Sequence, residues 1–465
     1  MTNRNYLSLL LTAVAALSLM CAVPLTAQNE GQDMRSAPPL DPSIKTTFVH
    51  LANGAPGVLY EPVNPGPKAQ IAVFVMHSAN DFLTHSACTE LSKRGYRVLC
   101  ANDSNDKNQL FNDGILDTVL LQAKAGVNYL RKYPGVKKIV LWGHSGGGTV
   151  MAAYQNIAEN GVNICQDDHK VFKCPDTLAG LPPADGVIMG DANWGLPIIT
   201  LLGMNPAVGT DDAMKIDPSF DMFNPANGFD PKGSHYSPEF IKKFQAGQVK
   251  KYNAMVQLAL DRWALIKAGK GHYADDEPFF IAGANFNTHT LFGADMSLMS
   301  HTEKPQQLLH PDGSITKEIV HTVRQPEFRD DRAEHTYREI LKTTVHGFLT
   351  TYAMRVTDDY GYGEDDSLKG IDWTSSWSSI EGNAETITVP FLTMGMTGSY
   401  EHSMAETLYN HVKSADNTLI YVEGATHGYG TCTNCEKATG KQYGNTIKTI
   451  YDYADGWLSK PGRFM

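Results

Sequence analysis

Residues 138–150 read Lys-Ile-Val-Leu-Trp-Gly-His-Ser-Gly-Gly-Gly-Thr-Val, and the prediction of the fold starts from this stretch. An apolar run typical of a buried strand leads directly into Gly143-His144-Ser145-Gly146-Gly147, and a helical pattern follows. Small residues two places before and two places after the serine allow a sharp turn with close backbone contacts. The stretch therefore predicts a strand, a tight turn and a helix, with the Ser145 hydroxyl exposed at the turn.

The chain before this turn alternates apolar runs of strand length with helical patterns. Residues 44–62 predict a hairpin that turns at Asn53-Gly54. Residues 70–76 and 96–101 predict buried strands, and residues 83–94 and 114–132 predict helices. Strands and helices that alternate in this way form crossover units, so we expect an α/β fold with a mainly parallel central sheet flanked by helices.

The alternation continues beyond Ser145, stops, and resumes near the end of the chain. A strand at 185–190 that ends at Asp191 is followed by residues 192–385, where the alternation is absent. The elements predicted elsewhere are a helix from residue 147, strands at 386–394 and 417–422, and helices at 404–414 and 446–458. Residues 28–191 and 386–465 are therefore predicted to form the core.

The interrupting segment at 192–385 is predicted to be a large, mostly helical cap inserted into the core. A long helix is expected to begin at Ser237-Pro238, because serine caps a helix and proline suits its first turn. A hairpin is expected around Pro311-Asp312-Gly313, and a second helix at 336–356. Tryptophans and methionines in this segment could line a pocket for a bulky apolar group, although such residues are also typical of a core.

Composition and charge limit the classes of partner. The 465 residues are 42% hydrophobic and 19% charged, which is typical of a globular chain with a large core. The formal net charge of −11 and the lack of clustered Lys and Arg argue against a nucleic-acid partner. No segment after the N-terminal region is long and apolar enough to span a bilayer, so we expect no stable membrane span in the mature protein.

The N-terminal residues 1–27 predict a cleaved signal peptide and an exported, periplasmic or secreted protein. Arg4 precedes an apolar stretch at 6–23, Pro24 breaks it, and a small residue, Ala27, marks the expected cleavage site. A single anchoring helix is the alternative, because the apolar run approaches the roughly 18–20 residues of a membrane span. A lipid anchor through Cys21 is disfavoured because the preceding residue is a bulky methionine.

The cysteines fit an oxidising compartment. Of the seven, six remain once Cys21 is removed, and an even number in an exported chain is typical of disulfides. Close spacing favours Cys88 with Cys100, Cys165 with Cys174, and Cys432 with Cys435. Cys432-Thr-Asn-Cys435 could also be half of a zinc site or a redox pair, but no second ligand pair accompanies it, so a structural disulfide is preferred and no metal is expected.

Three motifs in order along the chain resemble the α/β-hydrolase superfamily. They are a strand ending at His77-Ser78, the turn Gly143-His144-Ser145-Gly146-Gly147, and a late strand followed by Gly424-Ala-Thr-His427. The resemblance covers about residues 44–191 and 386–465. It implies that Ser145 is a nucleophile and that His427 is its base, because a serine hydroxyl needs an adjacent imidazole to lose its proton.

The acidic partner of His427 has two candidates. The resemblance places it after the strand at 386–394, where Glu401 is the nearest carboxylate and no aspartate occurs. A second family location is the end of the preceding strand, where Asp191 stands, and this simpler position makes Asp191 slightly preferred. Glu423 is a more remote third candidate because it lies so close to the base in sequence.

The resemblance also implies an oxyanion hole made of two backbone N–H groups. One belongs to Gly146, directly after the nucleophile, and the other to Ala79 or its neighbour Ser78. The predicted activity is hydrolysis of a small-molecule carboxylic ester without a cofactor. The same residues could also act on thioesters, amides or lactones, or in acyl transfer, and a binding protein of the same fold without catalysis is a further alternative.

Overall fold

The structure, a computed structural model, describes residues 41–104, 115–210, 212–284, 291–326 and 339–465, and the predicted signal peptide at 1–27 lies outside them. The strands, numbered along the chain, are β1 (Ile44–His50), β2 (Pro56–Pro62), β3 (Ile71–Met76), β4 (Arg97–Ala101), β5 (Lys138–Ser145), β6 (Gly186–Ala192), β7 (Pro278–Ala282), β8 (Gln306–Leu309), β9 (Ile315–Glu318), β10 (Ile340–Thr344), β11 (Arg355–Tyr362), β12 (Leu368–Asp372), β13 (Phe391–Met396) and β14 (Asn417–Val422). The helices are α1 (Ser86–Lys93), α2 (Leu116–Lys132), α3 (Gly147–Asn160), α4 (Leu196–Leu202), α5 (Pro238–Lys267), α6 (Leu291–Ala294), α7 (Val345–Thr351), α8 (Ile380–Ala384), α9 (Met404–His411), α10 (Thr433–Thr439) and α11 (Thr446–Leu458).

Ten of these strands form one main sheet in the order β1-β2-β4-β3-β5-β6-β13-β14-β8-β9. The strands from β4 to β8 in this order run parallel to one another. At the edges, β2 runs antiparallel to β4 and β1, and β9 runs antiparallel to β8. The predicted α/β fold with a mainly parallel central sheet is confirmed.

The central strands are buried on both faces. Every residue of β3, β6 and β13 is buried, as expected for parallel strands covered by helices on each side of the sheet. This is why their sequences are continuous apolar runs and not alternations of apolar and polar residues.

Several predicted elements are confirmed at or near their expected bounds. β1 and β2 form the N-terminal hairpin, with Ile44 opposite Pro62. The long helix α5 begins at Pro238, and the Ser237 side chain accepts a hydrogen bond from the Phe240 N–H at 3.2 Å. The hairpin around Pro311-Asp312-Gly313 is β8 and β9.

The predicted helix at 336–356 is wrong. In its described part the chain forms the strand β10, the short helix α7 and the start of β11. β10 pairs antiparallel with β7, and Leu341 lies opposite Ile281 on the buried side. Tertiary pairing with a strand distant in sequence therefore overrides a helical pattern of apolar residues.

The segment 192–385 contains more strand than expected. Besides α5 it includes two two-stranded sheets, β7 with β10 and β11 with β12. It also supplies β8, which pairs in parallel with β14 and so extends the main sheet. Part of the segment thus belongs to the sheet, and the division into a core at 28–191 and 386–465 and a separate cap at 192–385 stays a prediction.

Three disulfides follow the predicted pairing. They join Cys88 to Cys100, Cys165 to Cys174, and Cys432 to Cys435, with Cα–Cα distances of 6.1, 5.5 and 5.2 Å. Within the described ranges, no helix combines the length and the apolar character that crossing a bilayer would require.

Candidate active site

The predicted site residues follow strands that end at one edge of the sheet. β3 leads to His77, β5 ends at Ser145, β6 contains Asp191, and the loop after β14 carries His427. These four strands are parallel members of the main sheet, so their carboxyl ends lie at the same edge. In open α/β sheets this edge is where ligands bind.

Ser145 lies at a sharp turn between β5 and α3 with a positive φ of 53°. A Cβ at Gly143 would come within 2.8 Å of the Gly148 Cα, and a Cβ at Gly147 within 2.6 Å of the Met76 carbonyl oxygen. The two glycines are therefore required because strand, turn and helix pass too close together for a side chain. A non-glycine residue with positive φ is strained, and such strain is typical of functional positions.

His427 and Asp191 form a close hydrogen-bonded pair. The distance from His427 Nδ1 to Asp191 Oδ2 is 2.6 Å. Because an ionised carboxylate only accepts hydrogen bonds, the hydrogen between the two groups lies on Nδ1, and Nε2 is the nitrogen left to take up a proton. The ring is thus in the tautomer that a general base needs.

The Asp191 carboxylate is held from several sides. Its side chain is fully buried, and besides His427 it accepts from Ser399 Oγ at 2.6 Å and from the Met396 N–H at 3.2 Å. Burial raises the pKa of Asp191, and the hydrogen bonds from His427 and Ser399 oppose that increase. The end of β13 and the loop after it, where the sequence lacks an aspartate, thus each supply a donor to the aspartate of β6.

The other two candidate acids have different surroundings. Glu401 is buried, and its backbone N–H donates to Ser399 Oγ at 3.1 Å. The two carboxylate oxygens of Glu423 contact His310 Nδ1 at 2.7 Å and Lys441 Nζ at 3.1 Å. The carboxylate at hydrogen-bonding distance from His427 Nδ1 is that of Asp191.

Two aromatic rings pack against the His427 imidazole. The His144 ring centroid lies 4.6 Å from it and that of Tyr400 4.7 Å. His144 Nε2 is also 2.7 Å from the His427 carbonyl oxygen; since a carbonyl accepts, Nε2 donates. Burial lowers the pKa of His144 well below its usual value, so the ring is neutral and its hydrogen bond holds the loop of His427.

A second buried histidine lies behind His144. The ring centroids of His85 and His144 are 5.0 Å apart, and the His85 ring also stacks on Phe82 at 4.7 Å. Burial, followed by the effect of nearby His427, lowers the pKa of His85 to about 3. Two neutral imidazole rings, those of His144 and His85, therefore lie on the inner side of the His427 loop.

The two backbone groups predicted for the oxyanion hole both contact His77. The Ala79 N–H donates to His77 Nδ1 at 3.0 Å, as does the Asn80 N–H at 3.0 Å. The Gly146 N–H is directed at His77 Nε2, and the two nitrogens are 3.1 Å apart. Ser78, the alternative to Ala79, places its Oγ 2.5 Å from where a Cβ of Gly146 would lie.

Several residues that build this site have no role that the sequence predicts. Ser399 donates to Asp191, Tyr400 packs on His427, and the side chain of His77 receives the backbone donors. The only signal in the sequence for the first two is their place in the loop after β13, where the family acid was expected. Within the described residues, no three His, Cys, Asp or Glu side chains are arranged to hold a metal ion.

The order of strands and of site residues is that of one known fold. Ser145 follows a strand at the centre of the parallel sheet, on a sharp turn into a helix, and Asp191 and His427 come later in the chain. The chain has the α/β-hydrolase fold.

Comparisons with known proteins find only distant likenesses. No family model matches the chain, and no curated protein matches it in sequence. Among solved structures it is similar to a hypothetical protein of Pseudomonas aeruginosa, with 11% identity, a TM-score of 0.41, and coverage of 92% of this chain and 97% of that one. It is also similar to a siderophore hydrolase of Aspergillus fumigatus, with 11% identity, a TM-score of 0.40, and coverage of 90% and 98%. A hormone-sensitive lipase from a metagenome library has 10% identity, a TM-score of 0.40, and coverage of 90% and 87%. Similarity at this level indicates neither an activity nor a substrate for this chain.

Proposed function

We propose that this protein is a serine hydrolase that cleaves a carboxylic ester through an acyl-enzyme on Ser145. The observation that carries the proposal is the 2.6 Å contact between His427 Nδ1 and Asp191 Oδ2, at the edge of the sheet where β5 ends in Ser145. A buried carboxylate that orients an imidazole is the pair that activates a serine hydroxyl, and the His427 loop and the strained turn at Ser145 both follow strands that end at the same edge of the sheet.

In the first half of the proposed reaction, Ser145 Oγ attacks the carbonyl carbon of the ester and His427 Nε2 accepts its proton. Asp191 stays ionised and stabilises the imidazolium that forms. The carbonyl oxygen becomes an oxyanion, to which the Gly146 N–H donates. The carbon–oxygen bond to the alcohol then breaks, and His427 returns the proton to the departing oxygen.

In the second half, water replaces the alcohol. His427 Nε2 takes a proton from this water as its oxygen attacks the acyl carbon, and a second oxyanion forms. The bond to Ser145 Oγ breaks, the proton passes from His427 to Oγ, and the acid product leaves. The residues return to their starting protonation states, so the cycle consumes one ester and one water.

A fluorophosphonate probe tests the proposal. We expect the probe to label Ser145 in the wild-type protein, as mapped by peptide mass spectrometry, and Ser145→Ala to lose both labelling and hydrolysis of short p-nitrophenyl esters. Ser92→Ala, at a buried serine of α1, is the matched control and should retain both. Ester hydrolysis that survives Ser145→Ala would contradict the proposal.

The substrate class extends the proposal. We infer a small-molecule ester with a bulky apolar portion, on the basis of the Trp- and Met-rich segment at 192–385. Rates measured across acyl and alcohol sizes, with matched thioesters and amides, test this inference. A rate that falls steadily as the apolar portion grows would contradict the bulky substrate, and faster cleavage of the thioester would reassign the bond class.

An exported location also belongs to the proposal. Its support is the three disulfides, which persist in oxidising compartments and are rare in the cytosol. Expression with the native N-terminus followed by cell fractionation should recover the protein outside the cytosol, beginning after Ala27. A cytosolic protein with reduced cysteines would contradict the exported location.

A further inference from the structure

The loop that carries His427 contains a tyrosine with a strained backbone. Tyr429, two places after the base, has a positive φ of 70°. Glycine adopts this left-handed region freely, whereas a residue with a bulky side chain is strained there. The chain has glycines on both sides of this position, Gly428 and Gly430, and a tyrosine at the strained place itself. Such strain persists where surrounding contacts fix the residue, so the contacts of Tyr429 indicate what the residue is needed for.

The Tyr429 side chain reaches the strand of the triad acid. Its hydroxyl donates to the Gly190 carbonyl oxygen at 2.8 Å and accepts from Trp142 Nε1 at 3.2 Å. A Cβ at Gly190 would lie 2.2 Å from the hydroxyl oxygen, so a side chain at that position would displace it. Gly190 directly precedes Asp191 in β6. The hydroxyl therefore joins the loop of the base to the strand of the acid.

The backbone and the ring of Tyr429 are held as well. The Thr446 hydroxyl, at the start of α11, donates to the Tyr429 carbonyl oxygen at 2.7 Å. The Tyr429 ring packs edge-on against His144 at 4.8 Å, and His144 Nε2 donates to the His427 carbonyl oxygen at 2.7 Å. Tyr429 is fully buried. Because it is fixed at three points and only one residue separates it from His427, its position constrains the position of the base.

Two hydrogen bonds thus join the same two segments. One runs from the Tyr429 hydroxyl to Gly190, and the other from His427 Nδ1 to Asp191 at 2.6 Å. Without the first, the second alone would hold the loop of the base at its distance from β6. A short charge-assisted hydrogen bond depends steeply on that distance, and a misplaced catalytic group lowers the rate.

We propose that Tyr429 is a positioning residue of the catalytic pair, and that its hydroxyl sets the spacing between His427 and Asp191. Its effect on turnover rests on the proposed serine mechanism, since the tyrosine acts through His427. Burial raises the pKa of Tyr429 well above its usual value, so the hydroxyl keeps its hydrogen and continues to donate to Gly190.

Tyr429→Phe tests the proposal because it removes the hydroxyl and keeps the ring. We expect kcat to fall by about 10- to 100-fold with little change in KM, as small misplacements of catalytic groups do. Tyr451→Phe is the matched control. It removes the hydroxyl of another fully buried tyrosine, whose ring lies 5.9 Å from that of Tyr429 and whose hydroxyl contacts Ser86 Oγ at 2.7 Å. We expect the control to stay within a few-fold of the wild type.

Proton NMR of the resting protein distinguishes positioning from a general loss of stability. The hydrogen between His427 Nδ1 and Asp191 lies in a short charge-assisted hydrogen bond, and such hydrogens resonate far downfield of the amide protons. Loss of the signal in His427→Ala identifies it. We expect Tyr429→Phe to shift this resonance upfield and Tyr451→Phe to leave it in place. An unshifted resonance in Tyr429→Phe, or an equal shift in the control, overturns the role of Tyr429.

A second variant keeps the test decisive if Tyr429→Phe does not fold, as judged by circular dichroism. Thr446→Val removes the hydroxyl that donates to the Tyr429 carbonyl oxygen and leaves the tyrosine itself intact. We expect a shift of the downfield resonance in the same direction and a smaller fall in kcat. An unshifted resonance in this variant would then overturn the inference.

The serine mechanism and the role of Tyr429 can fail separately. A wild-type protein that the fluorophosphonate probe does not label at Ser145 refutes the serine mechanism, while an upfield shift in Tyr429→Phe still supports the spacing role. Labelling of Ser145 together with an unshifted resonance refutes the spacing role alone.

Discussion

Replacement of Asp191 by asparagine should nearly abolish turnover, because the groups that hydrogen-bond to the Asp191 carboxylate fix how an amide would be oriented in its place. The Met396 N–H, which contacts Oδ1 at 3.2 Å, can only donate, so the amide oxygen of Asn must remain on that side. The amide NH₂ then takes the place of Oδ2, which lies 2.6 Å from His427 Nδ1 in the wild type, and so faces that nitrogen. Ser399 can adapt because its hydroxyl both donates and accepts.

This exchange forces the wrong tautomer on the base. His427 Nδ1 must accept from the amide, so its hydrogen moves to Nε2, the atom that should take the proton of Ser145. The same substitution at the matching position of a serine protease lowers kcat by about 10⁴, which corresponds to about 5 kcal/mol of transition-state stabilisation. We expect a loss of that size here.

The assay is hydrolysis of a short p-nitrophenyl ester, with kcat and KM measured separately. Glu401→Gln is the matched control, because it makes the same change of carboxylate to amide at another buried acid of the same region. We expect the control to stay within a few-fold of the wild type, and both variants to keep the wild-type circular dichroism spectrum. A value of kcat within tenfold of the wild type for Asp191→Asn, or a loss by orders of magnitude for Glu401→Gln, would refute the reasoning.

Four further predictions concern the surroundings of the site and the stability of the fold. Ser399→Ala removes one donor from the buried Asp191 carboxylate. We expect kcat/KM to fall by about 10- to 100-fold, which corresponds to the 1–3 kcal/mol that an unsatisfied buried group costs. An unchanged kcat/KM would contradict a role for Ser399. Burial lowers the pKa of His402 to about 3, so as the pH falls below about 6.5 the unfolded chain gains a proton that the folded chain excludes, and the folded chain loses stability. His402→Phe should therefore reduce the difference in unfolding free energy between pH 7 and pH 5 by about 2 kcal/mol in urea titrations. His50→Gln, at an exposed position, is the control and should leave this difference unchanged. An unchanged difference for His402→Phe would refute the lowered pKa of His402. Gly147→Ala directs a methyl group to 2.6 Å from the Met76 carbonyl oxygen, and this backbone atom cannot move aside as a flexible side chain would. We expect the substitution to destabilise the fold by about 1–3 kcal/mol. Gly456→Ala in α11, with no atom within 4 Å of the added carbon, is the control and should not destabilise it. Replacement of Cys88 and Cys100 together by alanine opens a short loop, and we expect about 3 kcal/mol of stability to be lost in the same titrations; a loss that is indistinguishable from zero would show that the pair is not oxidised in the purified protein.

The local parts of the fold could be read from the sequence because they depend on neighbours along the chain. The turn at Ser145 follows from glycines two places away on each side, and β14 and α11 end where their apolar patterns end. The close pairing of cysteines also needs only short loops. In each case the determining contacts lie within about a dozen residues of one another, so periodicity and spacing were sufficient to predict them.

Other features depend on residues that are far apart in the chain. The helix predicted at 336–356 is wrong because β10 pairs with β7, and the residue pattern of β10 by itself does not indicate this pairing. The extension of the main sheet by β8 was missed for the same reason, since a short run beside a hairpin gives no sign of pairing with β14. The stabilisation of a strand by pairing comes from its contacts with a partner strand distant in sequence, and the propensities of the local residues do not reflect those contacts.

The candidate site likewise has residues that the sequence alone indicates and contacts that only the folded structure decides. Motif and position along the chain single out Ser145 and His427. They leave Asp191 and Glu401 open, because Asp191 stands at a strand end whereas Glu401 lies late in the loop after the strand where the family acid usually occurs. The 2.6 Å contact of Asp191 with His427 joins residues 236 positions apart, and the donor from Ser399 reaches across 208 positions. Distances of this kind are set by how parallel strands pack side by side, so the folded sheet, and not the order of residues, brings the Asp191 carboxylate to the His427 imidazole.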